Sequence, residues 1–304
     1  MGENRLEFGL GNIGSVQSES RWAQWVQHAT NVEVNIHSLP WDAERAIAFK
    51  ALLDRIREIN PQIRVKGVSL LARDSVRTLT SVTAIAEHIN QAVKIAEQFP
   101  GVEWVAFNEI GYRNPVSNLM SLSELAERTF TALREATDAD LWIRDLAPSN
   151  DMAFWRDLIP IAQANHATGI ELQCRVDIGQ PAHYPSRIPI KNVLKQGRLF
   201  RAFKTQQLKQ VITQAQSQGL KTGLVECTVF VGPTPKPKDY KVQARFYSDW
   251  VALARQTSSH ITFWNWQDPS RKLTYWKHMD FPGLTQSDGT PRHPAIIEIL
   301  VGDV

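Results

Sequence analysis

Two short apolar segments of this chain each end in a glutamate. They are residues 104–109, which end in Glu109, and residues 222–226, which end in Glu226. Uninterrupted apolar runs of this length are typical of buried parallel strands, where a carboxylate without a partner is costly to bury. In a barrel of parallel strands, the carboxyl ends of the strands build the active site. The pair therefore predicts the chemistry of a retaining glycosidase, with one carboxyl group as acid/base and the other as nucleophile.

The rest of the chain alternates between strand-like and helix-like patterns that would position these groups. Eight candidate strands cover residues 6–10, 32–36, 64–71, 104–108, 141–144, 169–173, 222–225 and 261–264. Helical periodicity covers residues 20–29, 43–59, 81–98, 122–136, 152–164, 203–218, 241–256 and 294–300. Ser121 and Glu124 form a capping-box pattern, and Gly101 and Gly219 follow helix ends. The alternation predicts an α/β fold, a single (β/α)8 barrel over residues 1–304.

One segment favours a different α/β fold. Residues 9–14 read Gly-Leu-Gly-Asn-Ile-Gly and fit the bare glycine pattern of a dinucleotide-binding turn in an open doubly wound sheet. No acidic residue closes a second strand about twenty residues later, as that motif requires. A nucleotide-dependent oxidoreductase therefore stays open as a weaker alternative.

The composition of the chain argues against several classes of binding partner. The chain has 304 residues, of which 43% are hydrophobic and 21% charged, with a formal net charge of +3. Because no lysine or arginine block stands out, we expect no nucleic-acid partner, and the apolar runs are too short for a membrane span. The histidines show no metal-ligand spacing, so we expect neither a metal nor a cofactor. The first five residues lack a signal-peptide pattern, which favours a protein that stays inside the cell or one whose leader has been removed.

Laid on a barrel, the strand ends resemble those of glycoside hydrolase family 10, the xylanase family of retaining barrel enzymes. The resemblance runs from about residue 30 to the C-terminus. The matching pieces are residues 105–109, 141–145, 169–173, 220–226 and 261–264, similar to the family's fourth to eighth strands, and residues 288–295, similar to its closing turn. No single piece is specific, but six occur in the family's order.

The resemblance implies roles for the residues at these strand ends. Glu226 would be the nucleophile, and Glu109 would protonate the leaving oxygen and then activate water. Asn108 would bind the sugar 2-hydroxyl, and Gln173 would orient the nucleophile or the sugar. Asp145 ends the fifth strand, where the family has Asn-Asp, and is a further substrate-binding candidate. Either glutamate could instead form a structural salt bridge at the barrel mouth. The partner of Glu226 would then be Arg175 or Lys221.

The chain departs from the family around the sugar next to the cleaved bond. Val68, Ala72 and Arg73 stand where the third strand of the family has His, Trp and His, and Arg175 stands where the sixth has His. Arg73 and Arg175 are substrate-binding candidates, and their charge favours an acidic or substituted polysaccharide. Arg175 could bind an anionic sugar substituent, or neutralise Glu226 or Asp177.

Aromatic platforms for the sugar are expected near the eighth strand. Trp264 lies at its end, and the family's second tryptophan falls near Lys272, so Trp266 or Trp276 would have to cover the sugar. The sequence as a whole predicts a retaining β-glycoside hydrolase acting on a poly- or oligosaccharide other than plain xylan. A catalytically silent carbohydrate-binding barrel is the first alternative.

Overall fold

Eight parallel strands close into one barrel. The computed structural model describes residues 7–13, 19–36, 41–111, 114–146, 153–177, 197–230 and 237–264. The strands are β1 Phe8–Ile13, β2 Asn31–Asn35, β3 Arg64–Ala72, β4 Val102–Asn108, β5 Leu141–Leu146, β6 Gly169–Asp177, β7 Lys221–Phe230 and β8 His260–Phe263. Each strand pairs with the next along the chain, and β1 pairs with β8. The predicted (β/α)8 fold class is confirmed.

Helices alternate with the strands. They are α1 Glu19–Val26, α2 Ala43–Ile59, α3 Arg73–Val76, α4 Val82–Gln98, α5 Leu122–Ala136, α6 Ala153–Ala164, α7 Gly197–Ser217 and α8 Pro237–Thr257. Ser121 accepts a hydrogen bond from the Glu124 N–H at 3.2 Å, which confirms the predicted start of α5. Gly101 and Gly219 have φ of 77° and 79°, the left-handed conformation that ends a helix. The predicted helix over residues 294–300 lies outside the described residues.

The apolar core forms a layer between the barrel and its helices. Trp104 and Phe107 on β4 are fully buried there, as are Trp155 on α6 and Trp250 on α8, which are 0% and 2% exposed. A second, smaller apolar cluster consists of Val68, Val105 and Trp142. None of the helices described is long and apolar enough to cross a membrane.

The glycine segment near the N-terminus is part of the barrel. Gly9 and Gly11 lie inside β1, with Gly9 in register with Asn31 of β2. A dinucleotide-binding motif needs these glycines in a turn between a strand and a helix of an open sheet. The fold on which the nucleotide-binding alternative rested is therefore wrong.

Candidate active site

The two candidate glutamates share an unusual backbone conformation. Glu109 has φ 60° and Glu226 has φ 50°, both in the left-handed region. The other non-glycine residues of this kind in the described ranges, His166 and Ser258, follow the ends of α6 and α8, where helices commonly stop this way. At a strand the conformation costs about 1–2 kcal/mol and is concentrated at functional sites.

Glu109 and Glu226 differ in where their strands end. Glu109 follows the last residue of β4, and its N–H donates to the carbonyl of Arg144 on β5 at 2.9 Å. Glu226 lies inside β7, which continues to Phe230 rather than ending near residue 225 as predicted. The pairing of β7 shifts register beside Glu226 on both sides, against β6 and against β8. A bulge of this kind re-aims a side chain while the strand continues.

One amide joins three neighbouring parts of the site. Gln173 Nε2 donates to Asn108 Oδ1 and to Glu226 Oε1, each at 3.1 Å. The Asn108 and Glu226 oxygens therefore lie no more than twice that distance apart. Gln173 is 2% exposed, and its own Oε1 has no hydrogen-bond partner among the described residues. The last residue of β4 thus meets interior positions of β6 and β7, two strands that the sequence predicted would end at these points.

Cations hold both oxygens of Glu226. The carboxylate is 1% exposed. Its Oε2 accepts a hydrogen bond from Arg175 Nη2, and its Oε1 lies 3.5 Å from Arg144 Nη1. The Arg175 side chain is 17% exposed, whereas that of Arg144 is fully buried. Two guanidinium groups beside a buried carboxylate stabilise its ionised form.

Arg144 is the centre of a charged network beneath Glu226. Its Nη1 donates to Glu33 Oε2 at 3.1 Å. Its Nε and Nη2 donate to Glu171 Oε2 at 2.9 and 2.7 Å. The side chains of Arg144, Glu33 and Glu171 are each at most 1% exposed. Burial disfavours the ionised form of Glu171, but Arg144 and Lys66 outweigh it and hold the pKa of that carboxyl well below its ordinary value.

Lys66 and His260 complete this network on the other side of Glu171. Lys66 Nζ pairs with Glu171 Oε1 and lies 4.2 Å from the centre of the Trp142 ring. His260 Nε2 lies 2.8 Å from the same Glu171 oxygen. Burial and the adjacent Lys66 charge lower the pKa of His260 and so favour its neutral form. The strands β2, β3, β5, β6 and β8 are therefore connected by buried charged and polar groups.

Asp145 holds the chain that follows Glu109. Its Oδ2 accepts from the Gly111 N–H at 2.6 Å, and its Oδ1 accepts from the Leu146 N–H at 2.7 Å. Asp145 is fully buried. Its position indicates a role in fixing the loop after β4, whereas direct sugar binding stays a prediction.

The other predicted site residues lie in different surroundings. Arg175 contacts Glu226, one of the alternatives stated above, and its Cζ lies 5.5 Å from the centre of the Trp264 ring. Trp264 follows the last residue of β8, and Arg73 begins the short helix α3 directly after β3. Trp266 and Trp276 lie outside the described residues. Across the described ranges, no group of three metal-ligand side chains is present.

The charged network was missed by sequence reasoning. Its members are Glu33, Lys66, Arg144, Glu171 and His260. A signal existed, because Glu33, Lys66 and Glu171 each lie inside a strand between two uncharged residues (Val, Ile, Leu or Gly), and such charges need partners. Their mutual contacts follow from the strand register, which the sequence does not contain.

Solved structures similar to this barrel include family 10 xylanases. Xylanase 10B from Thermotoga maritima is 16% identical with a TM-score of 0.73, over 98% of this chain and 95% of that one. A family 10 glycoside hydrolase from Paenibacillus barcinonensis is 15% identical with a TM-score of 0.75, over the same shares. The chain has the fold of the family 10 xylanases.

The similarity between this chain and the solved structures is a similarity of fold. An intracellular xylanase from Thermoanaerobacterium saccharolyticum, solved as a variant in complex with xylotriose, is 15% identical with a TM-score of 0.69, over 97% of this chain and 95% of that one. No protein-family model matches the sequence, and no curated protein matches it significantly. At these identities, the activity has to be argued from the side chains of the site.

Proposed function

We propose that this chain is a retaining β-glycoside hydrolase that acts on a poly- or oligosaccharide, with residues 1–304 as one catalytic domain. The observation that carries the proposal is the amide of Gln173, which binds both Asn108 and Glu226. It connects the last residue of β4 with positions inside β6 and β7, towards the carboxyl ends of the strands, where enzymes of this fold act. The left-handed backbone at both glutamates supports the same interpretation.

In the first step, Glu226 is the nucleophile. Its carboxylate attacks the anomeric carbon while Glu109 donates a proton to the leaving oxygen, which breaks the glycosidic bond and forms a glycosyl ester on Glu226. Oε2 is the attacking oxygen in this proposal, because its partner Arg175 is partly exposed and can move, whereas Oε1 is held by Gln173 and the fully buried Arg144.

In the second step, Glu109 takes a proton from water as the water attacks the same carbon. The ester bond breaks and Glu226 leaves as a carboxylate, so the sugar keeps its anomeric configuration. Asn108 accepts from Gln173 through its side-chain oxygen, which leaves the Asn108 amide nitrogen as the donor for the sugar 2-hydroxyl.

The retaining mechanism sets the distance between the two carboxyl groups. We expect Glu109 and Glu226 to lie about 5–5.5 Å apart, whereas about 6.5–9.5 Å is typical of inversion. A crystal structure with a bound sugar would measure this distance, and a separation beyond about 12 Å would contradict the proposal.

A panel of aryl β-glycosides and polysaccharides tests the activity. We expect Glu109→Gln and Glu226→Gln each to lower turnover at least about 100-fold on glycans with poor leaving groups. On an activated aryl glycoside, azide should restore turnover in the truncated variants Glu109→Ala and Glu226→Ala, which leave room for the anion, giving a β-glycosyl azide from the first and an α-glycosyl azide from the second. Arg128→Gln, on the exposed face of α5, is the control. Near-normal turnover in both glutamate variants would contradict the assigned roles.

A carbohydrate-binding barrel without catalysis is the second candidate. The contact that favours it is the Arg175 hydrogen bond to Glu226 Oε2, because that oxygen must be free to attack. Calorimetry with a xylan or glucan oligosaccharide distinguishes the two: a binding barrel gives heat of binding and no product.

A further inference from the structure

Arg175 occupies two places that a sugar would need. Its Nη2 hydrogen-bonds the attacking oxygen of Glu226, and its guanidinium lies over the ring of Trp264. An indole at the end of β8 is the natural stacking surface for the sugar. A bound sugar therefore has to displace Arg175 from at least one of these partners.

Displacement is costly unless the substrate offers a replacement. Arg175 is only 17% exposed, so water alone compensates poorly for a lost bond to a charged partner. A neutral sugar presents hydroxyl groups, which bind a guanidinium less strongly than a carboxylate does. A sugar with its own carboxylate gives Arg175 a new charged partner while it leaves Glu226.

Glu226 can lose Arg175 and still be held in place. Its other oxygen, Oε1, keeps the contacts with Gln173 and the fully buried Arg144. Arg144 remains a charged partner of the carboxylate, and movement of Arg175 exposes only Oε2, the oxygen that attacks. The two guanidinium groups thus differ in position: that of Arg144 is fixed inside the barrel, and that of Arg175 lies at its mouth.

We infer that the substrate is an acidic glycan, with a uronic acid carboxylate that binds Arg175 and releases Glu226 Oε2 for attack. The planar, bidentate geometry of a guanidinium fits a carboxylate better than a tetrahedral sulfate. This inference rests on the proposed function, and the substrate pair below tests the two separately.

A matched pair of substrates isolates the carboxylate. 4-Nitrophenyl β-D-glucuronide and β-D-glucoside differ only in the group at C6. We expect kcat/KM to be about ten- to hundredfold higher for the glucuronide, which corresponds to one hydrogen bond between charged partners. The preference should decrease as ionic strength rises, because the pair is partly exposed. Cleavage of both at equal rates would overturn the inference and leave the proposed function standing.

Variants at Arg175 test its part in the preference. Arg175→His introduces the residue that the xylanase family has there, and should bring the glucuronide-to-glucoside ratio close to one. Arg175→Lys keeps the charge and loses the planar, bidentate guanidinium, so it should reduce the glucuronide-to-glucoside ratio only in part. Lys221→Gln removes an exposed charge from the start of β7, the strand of Glu226, where Lys221 pairs with Asp140, and should leave the ratio unchanged. An unchanged ratio in both Arg175 variants would overturn the inference.

Binding provides a readout that does not depend on turnover. If no glycoside is cleaved, the proposed hydrolase function is wrong, and calorimetry with methyl β-D-glucuronide and methyl β-D-glucoside still tests the carboxylate site. We expect tighter binding of the glucuronide by wild-type protein and a loss of that difference in Arg175→His. Equal affinities, or a preference for a sulfated glucoside, would contradict a carboxylate site.

Discussion

Replacing Arg144 by methionine should strongly destabilise the folded protein. The side chain is fully buried and forms hydrogen bonds with Glu33 and Glu171, which are 1% and 0% exposed. Removing one partner of a buried ion pair typically costs about 3–5 kcal/mol, because it leaves an uncompensated charge. Glu171 would keep Lys66 and His260, whereas Glu33 has no other cation within ion-pair distance among the described residues. We therefore expect a loss of about 3–5 kcal/mol in the free energy of unfolding.

Urea denaturation at pH 7, followed by tryptophan fluorescence, measures this loss. Arg128→Met is the matched control, because Arg128 pairs with Glu124 on the surface and is 48% exposed. It should cost less than about 1 kcal/mol. The double variant Arg144→Met/Glu33→Gln should lose less than Arg144→Met alone, because it removes one of the unpaired charges.

The cost of Arg144→Met should also depend on pH. At pH 7, the variant buries carboxylates that have lost a cation, and acidification lets them take up protons. The difference in stability between wild type and variant should therefore shrink as pH falls from 7 towards 4. If Arg144→Met and Arg128→Met cost the same at pH 7, the interpretation of the buried network is wrong.

Three further predictions concern the same barrel. The free energy of unfolding of the wild type should fall on acidification. Folding lowers the pKa of Glu171 and of His260, so protonating either group favours the unfolded state. A urea midpoint that rises from pH 7 to pH 4 would contradict this prediction. Gly223→Ala places a methyl group against the His260 ring and should lower the free energy of unfolding by about 1–3 kcal/mol. The same urea titration measures this change, and an unchanged free energy of unfolding would contradict the close packing of Gly223 against His260. Asp145→Asn turns an amide NH₂ towards the N–H of Gly111 or Leu146 and should lower kcat about tenfold with little change in KM; a change confined to KM would indicate direct sugar binding instead.

Periodicity predicted the fold well where elements are strongly patterned. The bounds of α2 and α5 match the prediction, because an amphipathic repeat and a capping serine or aspartate define them. The helix α8 begins at Pro237 rather than residue 241, because proline fits the first turn of a helix, where no apolar repeat is needed. The strands β6 and β7 extend beyond the prediction, because they resume pairing after a register shift.

Some contacts of the candidate site could be predicted from the sequence, whereas the roles of its residues stay predictions. The meeting of Asn108, Gln173 and Glu226 was expected from predicted places at the ends of parallel strands, and it holds although β6 and β7 continue beyond these residues. The pairing of Arg175 with Glu226 was one of two open alternatives, because an arginine at a barrel mouth can point to a substrate or to a carboxylate. The role of Arg144 requires the register of β5, and no local pattern encodes that register.

The most direct test of the central claim is to trap the covalent intermediate. A 2-deoxy-2-fluoro glycoside with a good leaving group slows both steps, and the glycosyl ester accumulates if its formation is faster than its hydrolysis. The fluorosugar with the glucuronic configuration is the first choice, followed by the glucosyl and xylosyl analogues. Mass spectrometry of the digested protein should find one sugar per chain, on the peptide that contains Glu226. A label on another residue, or hydrolysis of an aryl glycoside with inversion at the anomeric carbon, would contradict the account.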